Sequence, residues 1–277
     1  MIEQLRQRLR ALEKPAEIAD GLGGLPLGVA AIDAALGGGL ARGALHEIAA
    51  VSEAHLAAAT GFALALAARE HARLVWIAED MALAESGAPY GPGLDAFGLA
   101  PERLLTVSVA RSHDLLWTME EALHCRAVRI VIGEVRDSAV STVALRRLSL
   151  AAAKSGVFAL LLRASPTDET SAAATRWIVG AASSVIPGRE RNERTRNPEI
   201  NAEVASGFRV RAFSASRNDE EIRPRFAAQL VRNRCGPTGS WILEWSDSDE
   251  RFILAPAQPV AAPALDRPHR QIARQVA

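Results

Sequence analysis

A chain of 277 residues and 29.5 kDa, 49% apolar and 23% charged, can bury the core of one sizeable domain. Its 32 basic and 32 acidic residues cancel, which excludes a polyelectrolyte clamp but leaves local patches open. No run approaches the ~20 uninterrupted apolar residues of a membrane helix, and the two distant cysteines, Cys125 and Cys235, exclude a disulfide framework.

Reduced thiols and a start without an apolar signal core give the expectation of a cytoplasmic protein with no membrane attachment. Thirty of the basic residues are arginine; Lys14 and Lys154 are the only lysines.

In chain order, Leu5, Leu9 and Leu12 recur at helical spacing before Pro15, so residues 1–20 are expected as an N-terminal helix. The glycine-rich "GLGGLPLG" suggests a linker over 21–30, and the core is expected over 31–254. There a short helix leads through Gly37–Gly39 into a strand from about Ala44, followed by a long Ala/Leu helix to about Glu70. "RLVWIA" (73–78), "LLTVSV" (104–109), "VRIVIG" (128–133) and "VFALLLR" (157–163) are short apolar runs of the kind buried in a parallel sheet. Amphipathic helices near 93–99, 112–124 and 138–155 alternate with them. This alternation predicts an α/β fold with a mostly parallel central sheet and flanking helices.

Beyond residue 185 the pattern changes. A polar, arginine-rich loop is expected over 187–207, then strands at "FRVRAF" (208–213), "RFAAQLVRNR" (225–234) and "GSWILEW" (239–245), the last two forming a hairpin through "CGPTG". The Pro/Ala-rich stretch 255–277 is expected to be a disordered tail.

"AIDAALGGGLARGALHEIA" (31–49), "AFGLAPERLL" (96–105), "SHDLLWTMEEALHCRAVRIVIGEV" (112–135), "LRRLSLAAAKSGVFALLLRAS" (145–165) and "QLVRNRCGPTGSWILEW" (229–245) follow one another in the order of a known core. Together they resemble the RecA recombinase core over roughly 25–245. The resemblance implies that the turn after the first core strand stands where that family has its phosphate loop.

The chemistry of that loop is missing. Its glycines fall at Ala50 and His55, its lysine at Leu56 and its hydroxyl residue at Ala57. Glycines let backbone N–H groups wrap a phosphate while lysine and Mg²⁺ neutralise it. Residues 44–68 contain no lysine, so shifting the alignment does not restore the cation.

By the same resemblance Glu79 or Asp80 stands near the general base and Glu134 near the Walker B carboxylate. Helix capping and solvation explain such acids equally well. Arg232 and Arg234 match a basic pair that in RecA-like filaments reaches the neighbouring subunit's nucleotide. They alternate onto one strand face and, with Arg189, Arg191, Arg194 and Arg196, are candidate contacts to DNA or a partner. The histidines and carboxylates show no metal-ligand or nucleophile-elbow spacing, so no catalytic residue, metal or cofactor is assigned.

A RecA-like core with a degenerate phosphate loop resembles the ImuA family of damage-inducible mutagenesis proteins, which are distantly similar to the SulA division inhibitors. This resemblance implies a non-catalytic accessory factor in SOS-induced translesion synthesis. Its implied partners are an ImuB-like inactive Y-family polymerase homologue and an error-prone C-family polymerase, with a RecA filament and single-stranded DNA as further contacts. An atypical RecA-superfamily NTPase and a SulA-like division inhibitor are the alternatives.

Overall fold

The computed structural model describes residues 23–125, 127–136, 140–182 and 223–255. The expected N-terminal helix, the 187–207 loop with Arg189, Arg191, Arg194 and Arg196, the strand 208–213 and residues 256–277 of the tail lie outside the described residues.

The segment expected as a linker is built into the fold. Strand β1 (Gly24–Leu25) pairs antiparallel with β2 (Leu40–Ala41), and Leu25, Leu27 and Val29 are buried. Helix α1 (Ala30–Ala35) holds this segment through Asp33, whose carboxylate accepts from the N–H groups of Leu27 (2.6 Å) and Gly28 (3.0 Å). Gly39, at φ 127°, passes so close to the Leu25 backbone that a Cβ would lie 2.4 Å from its carbonyl oxygen. Within the stretch, a Cβ on Gly24 would lie 2.9 Å from the Gly38 carbonyl oxygen and one on Gly28 2.9 Å from Arg251 Cβ, so these glycines serve close packing, which composition alone does not separate from linker flexibility.

The main sheet comprises β3 (Leu45–Ala50), β4 (Leu74–Glu79), β5 (Leu104–Val109), β6 (Ile130–Val135), β7 (Phe158–Arg163), β8 (Thr175–Ala181), β9 (Arg225–Asn233), β10 (Gly239–Ser246) and β11 (Arg251–Leu254). Their spatial order is β11-β10-β9-β8-β3-β7-β6-β4-β5. The six strands from β8 to β5 are parallel, and β9, β10 and β11 extend the sheet antiparallel. β3 and β7 are buried at every residue, which explains the apolar run of β7 and requires partners for His46 and Glu47 of β3.

One face is covered by α2 (Leu56–Ala68), ten of whose thirteen residues are buried. A helix apolar on all sides needs neighbours all round. Besides the sheet, α2 shares its core with Leu27 and Leu36. The Phe62 ring lies 5.7 Å from Trp177, 5.8 Å from Phe226 and 5.0 Å from Phe252, so the antiparallel strands close onto this helix.

The other face carries α5 (Ser112–Leu123) and α6 (Thr142–Ser155). Leu115 and Met119 of α5 sit over Gly133; a Cβ there would meet Met119 Sδ at 2.1 Å. Ser141 caps α6 by accepting from the Ala144 N–H (3.2 Å), and Gly156 ends it in the left-handed region. Short helices α3 (Asp80–Ser86) and α4 (Gly91–Asp95) bridge β4 to β5. The expected helix at 93–99 is shorter and earlier because Pro92 opens it and Gly98, at φ 77°, follows its end.

Two polar groups pin the buried middle strand. Glu47 of β3 is fully buried; it accepts from Arg176 Nε (2.7 Å) and Ser171 Oγ (2.7 Å), with Arg163 Nη2 at 3.9 Å. Arg176 also donates to the carbonyls of Thr167 and Glu169, tying the β7–β8 connection to the sheet. His46, on the other face, bonds Thr175 Oγ1 through Nδ1 (2.8 Å) and the Ala41 carbonyl through Nε2 (2.9 Å).

Candidate functional site

In a parallel sheet, ligands gather beyond the carboxyl ends of the strands. The degenerate phosphate-loop positions Ala50, His55, Leu56 and Ala57 lie at that edge, at the end of β3, and so do Glu79 and Asp80 after β4 and Glu134 in β6. The structure therefore brings together the residues that sequence reasoning grouped. Arg232 and Arg234 are not among them. β9 runs antiparallel, so its end at Asn233 faces Thr175 at the opposite edge, and Arg234 lies one residue past the strand. A register shift opposite Arg176 and Trp177 leaves Val231 without a paired residue, just before Arg232.

The turn after β3 is short. Val51 leaves the strand, Ser52 to Ala54 are exposed, and a single 3-10 turn (Glu53–His55) feeds α2. A phosphate cradle requires backbone N–H groups that point inward without partners. Three of those available here are already engaged. The Val51 N–H donates to the Val179 carbonyl (3.0 Å), that of His55 to Ser52 (2.9 Å) and that of Leu56 to Glu53.

Side chains complete the closure. His55 Nδ1 accepts from the Ala181 N–H (3.0 Å), bridging the turn to the end of β8. Gly180 lies directly beneath; a Cβ there would meet Val51 Cγ1 at 3.1 Å and His55 Nδ1 at 3.5 Å. Leu56 is buried and Ala57 is exposed. Glu53 places a carboxylate in the first turn, where a helix N-terminus would otherwise attract an anion.

The three acids are engaged locally. Glu79 Oε1 accepts from Ser112 Oγ (2.9 Å), and Asp80 accepts from Ser108 Oγ. Glu134 is 8% exposed and pairs with Arg136 at 3.2 Å. Burial pushes its pKa above the usual carboxylate value, the Arg136 charge opposes this, and nearby Glu79 raises it further. Glu53 adds a fourth acid to this edge, where Arg136 is already paired with Glu134.

Sequence reasoning missed β8, the strand that supplies Gly180, Ala181 and the Val179 carbonyl. Its signal was present in "TRWIVG" (175–180), rich in β-branched and aromatic residues. Among the described residues no group of three His, Cys, Asp or Glu could hold a metal ion, and no helix is long and apolar enough to cross a membrane. Cys125 and Cys235 are exposed free thiols.

The crystal structure of the RadB recombinase superposes with a TM-score of 0.50, covering 82% of this chain and 98% of RadB, at 14% identity. The fold is RecA-like. No family model matches the chain. By sequence, this RecA-like chain is similar to Protein ImuA of Caulobacter vibrioides in two strains, NA1000 and CB 15, each 28% identical over 220 residues. The match covers 75% of this chain and 77% of each ImuA. ImuA is also the family that a RecA-like core with a degenerate phosphate loop resembles.

Proposed function

We propose that this chain is a non-catalytic accessory factor in DNA-damage-induced mutagenesis, a RecA-like scaffold that neither binds nor hydrolyses ATP. The observation that carries the proposal is the β3–α2 turn. Three of its N–H groups are engaged by Val179, Ser52 and Glu53, its lysine position is Leu56, and a glutamate occupies its first helical turn. Without a cradle, Glu79 and Glu134 have no phosphate on which to act. The similarity to ImuA supplies the pathway.

In this role the chain joins an ImuB-like inactive Y-family polymerase homologue to an error-prone C-family polymerase in the cytoplasm, with a RecA filament as a further contact. Loss of nucleotide gating removes the ATP-driven filament assembly of a recombinase, leaving protein contacts as the output of the fold.

Deleting the gene in its own host tests the role. Ultraviolet-induced mutation frequency is expected to fall while spontaneous frequency stays unchanged, with restoration by the wild-type chain and by an Ala57→Glu variant that further blocks the loop. Unchanged induced mutagenesis in the deletion strain overturns the role. Mg-ATP binding followed by calorimetry overturns the scaffold reading if saturable heat appears.

A further inference from the structure

The edge opposite the degenerate loop has a different electrostatic character. Basic residues stand at the entrances of successive parallel strands: Arg42 before β3, Arg73 before β4, Arg103 before β5, Arg129 before β6, and Lys154 in the last turn of α6 before β7. Arg42 pairs with Glu70, and Arg103 donates to the Ala72 carbonyl. Arg73, Arg129 and Lys154 are exposed, and among the described residues their side chains make no hydrogen bond or ion pair. The Arg129 N–H donates to the Arg73 carbonyl (3.2 Å) and the Phe158 N–H to the Arg129 carbonyl (2.9 Å), so the cations fan out from adjacent strand starts. With neighbouring strands ~4.8 Å apart, they line up across the edge.

Beside them lies an open groove of about 430 Å³ lined by His124, Cys125, Val128, Arg129, Lys154, Ser155 and Val157, with no acid in its wall among the described residues. Among the described residues, Glu102 precedes Arg103, Glu121 stands in the last turn of α5, and Glu250, paired with His71, acts on Arg103. They leave the row net positive. Arg232 and Arg234 lie toward the same edge, on the antiparallel side.

We propose that this groove and its cation row bind the sugar–phosphate backbone of duplex DNA, through Arg73, Arg129 and Lys154. The choice of DNA rests on the damage-response reading above. Two features of the surface set the occupant. A protein partner requires an apolar or aromatic anchor at the centre of its interface, yet exposed large apolar side chains such as Trp117, Val143 and Leu150 do not line the groove. Single-stranded DNA requires several aromatic platforms for its bases, and among the described residues the groove wall offers only the His124 imidazole. Exposed cations suffice for a phosphate backbone, and contacts of that kind are independent of sequence.

The test is fluorescence anisotropy of the full chain with a labelled duplex of about 30 base pairs, between about 50 and 200 mM salt. The triple variant Arg73→Glu, Arg129→Glu, Lys154→Glu is expected to bind more weakly, with a slope of log K against log salt shallower by about 2.7, as loss of three phosphate contacts requires. The milder pair Arg129→Gln, Lys154→Gln is expected to lose about 1.8 of slope without charge reversal.

Absence of duplex binding by the wild type, or unchanged slopes in both variants, overturns the proposal. Binding of single strands alone, or binding lost only when Arg189, Arg191, Arg194 and Arg196 are neutralised, does so too. None of these results bears on the accessory-factor role, which the mutation-frequency assay tests separately.

Discussion

His46 offers a quantitative check on the strand that carries the degenerate loop. Its imidazole lies in the core beside Phe158, at a ring separation of 5.0 Å, and its two nitrogens are occupied by Thr175 and Ala41. The bonds fit one neutral tautomer: Nε2–H donates to the Ala41 carbonyl, and Nδ1 accepts from the Thr175 hydroxyl. That hydroxyl in turn accepts from Trp177 Nε1 (3.1 Å).

Burial lowers the His46 pKa from 6.5 to about 4, against a smaller opposing effect of the Ala41 carbonyl. The folded pKa lies below the unfolded one, so between these values the unfolded chain binds more protons. The stabilisation is therefore complete above pH 6.5 and declines as pH falls towards 4. At 1.36 kcal/mol per pH unit, the loss between neutrality and pH 4 is about 3 kcal/mol.

Urea unfolding of the wild type and of His46→Gln, repeated from pH 7 to about pH 4, isolates this contribution because other titrating groups cancel in the difference. The gap between the two stability curves is expected to close, or to change sign, by about 3 kcal/mol on acidification. Parallel curves would refute the reasoning, because His46 would then ionise with the same ease in both states. Glu134 acts with the opposite sign. Its raised pKa stabilises the fold at low pH, and that contribution is lost as pH rises above the carboxylate range.

Replacing Arg176 by Met leaves the fully buried Glu47 with only Ser171 and the more distant Arg163, and is expected to cost about 3 kcal/mol in denaturant unfolding. Gly133→Val drives a side chain into Met119 Sδ and should lower stability by about 1–3 kcal/mol, with relief from Met119→Ala in the double variant. The pair Leu56→Lys, Ala57→Thr restores the residue types of a phosphate loop but is expected to give no saturable Mg-ATP binding by calorimetry, because Val51, His55 and Leu56 keep their N–H bonds. Phe62→Ala removes the ring shared with Trp177, Phe226 and Phe252 and should cost about 3–5 kcal/mol in thermal or urea unfolding.

The sequence by itself determined the parallel core and the missing cation. Unbroken apolar runs such as "VFALLLR" and "RLVWIA" have no solvent face, so only a doubly covered strand accommodates them. The absence of lysine from residues 44–68 is a fact of composition that no packing can alter. Local patterning failed where glycine has two meanings: "GLGGLPLG" reads as a linker until Leu25, Leu27 and Val29 are seen buried and Gly39 pressed against Leu25.

Only the tertiary structure decided how the loop is closed and where the free cations stand. Val179, Gly180 and Ala181 reach the turn from more than a hundred residues away, through β8–β3 pairing that no short-range pattern encodes. Arg73, Arg129 and Lys154 are isolated in sequence. They become one surface because parallel strands start at a common edge: Arg73 and Arg129 directly precede adjacent strands, and Lys154 ends the helix that leads into the next.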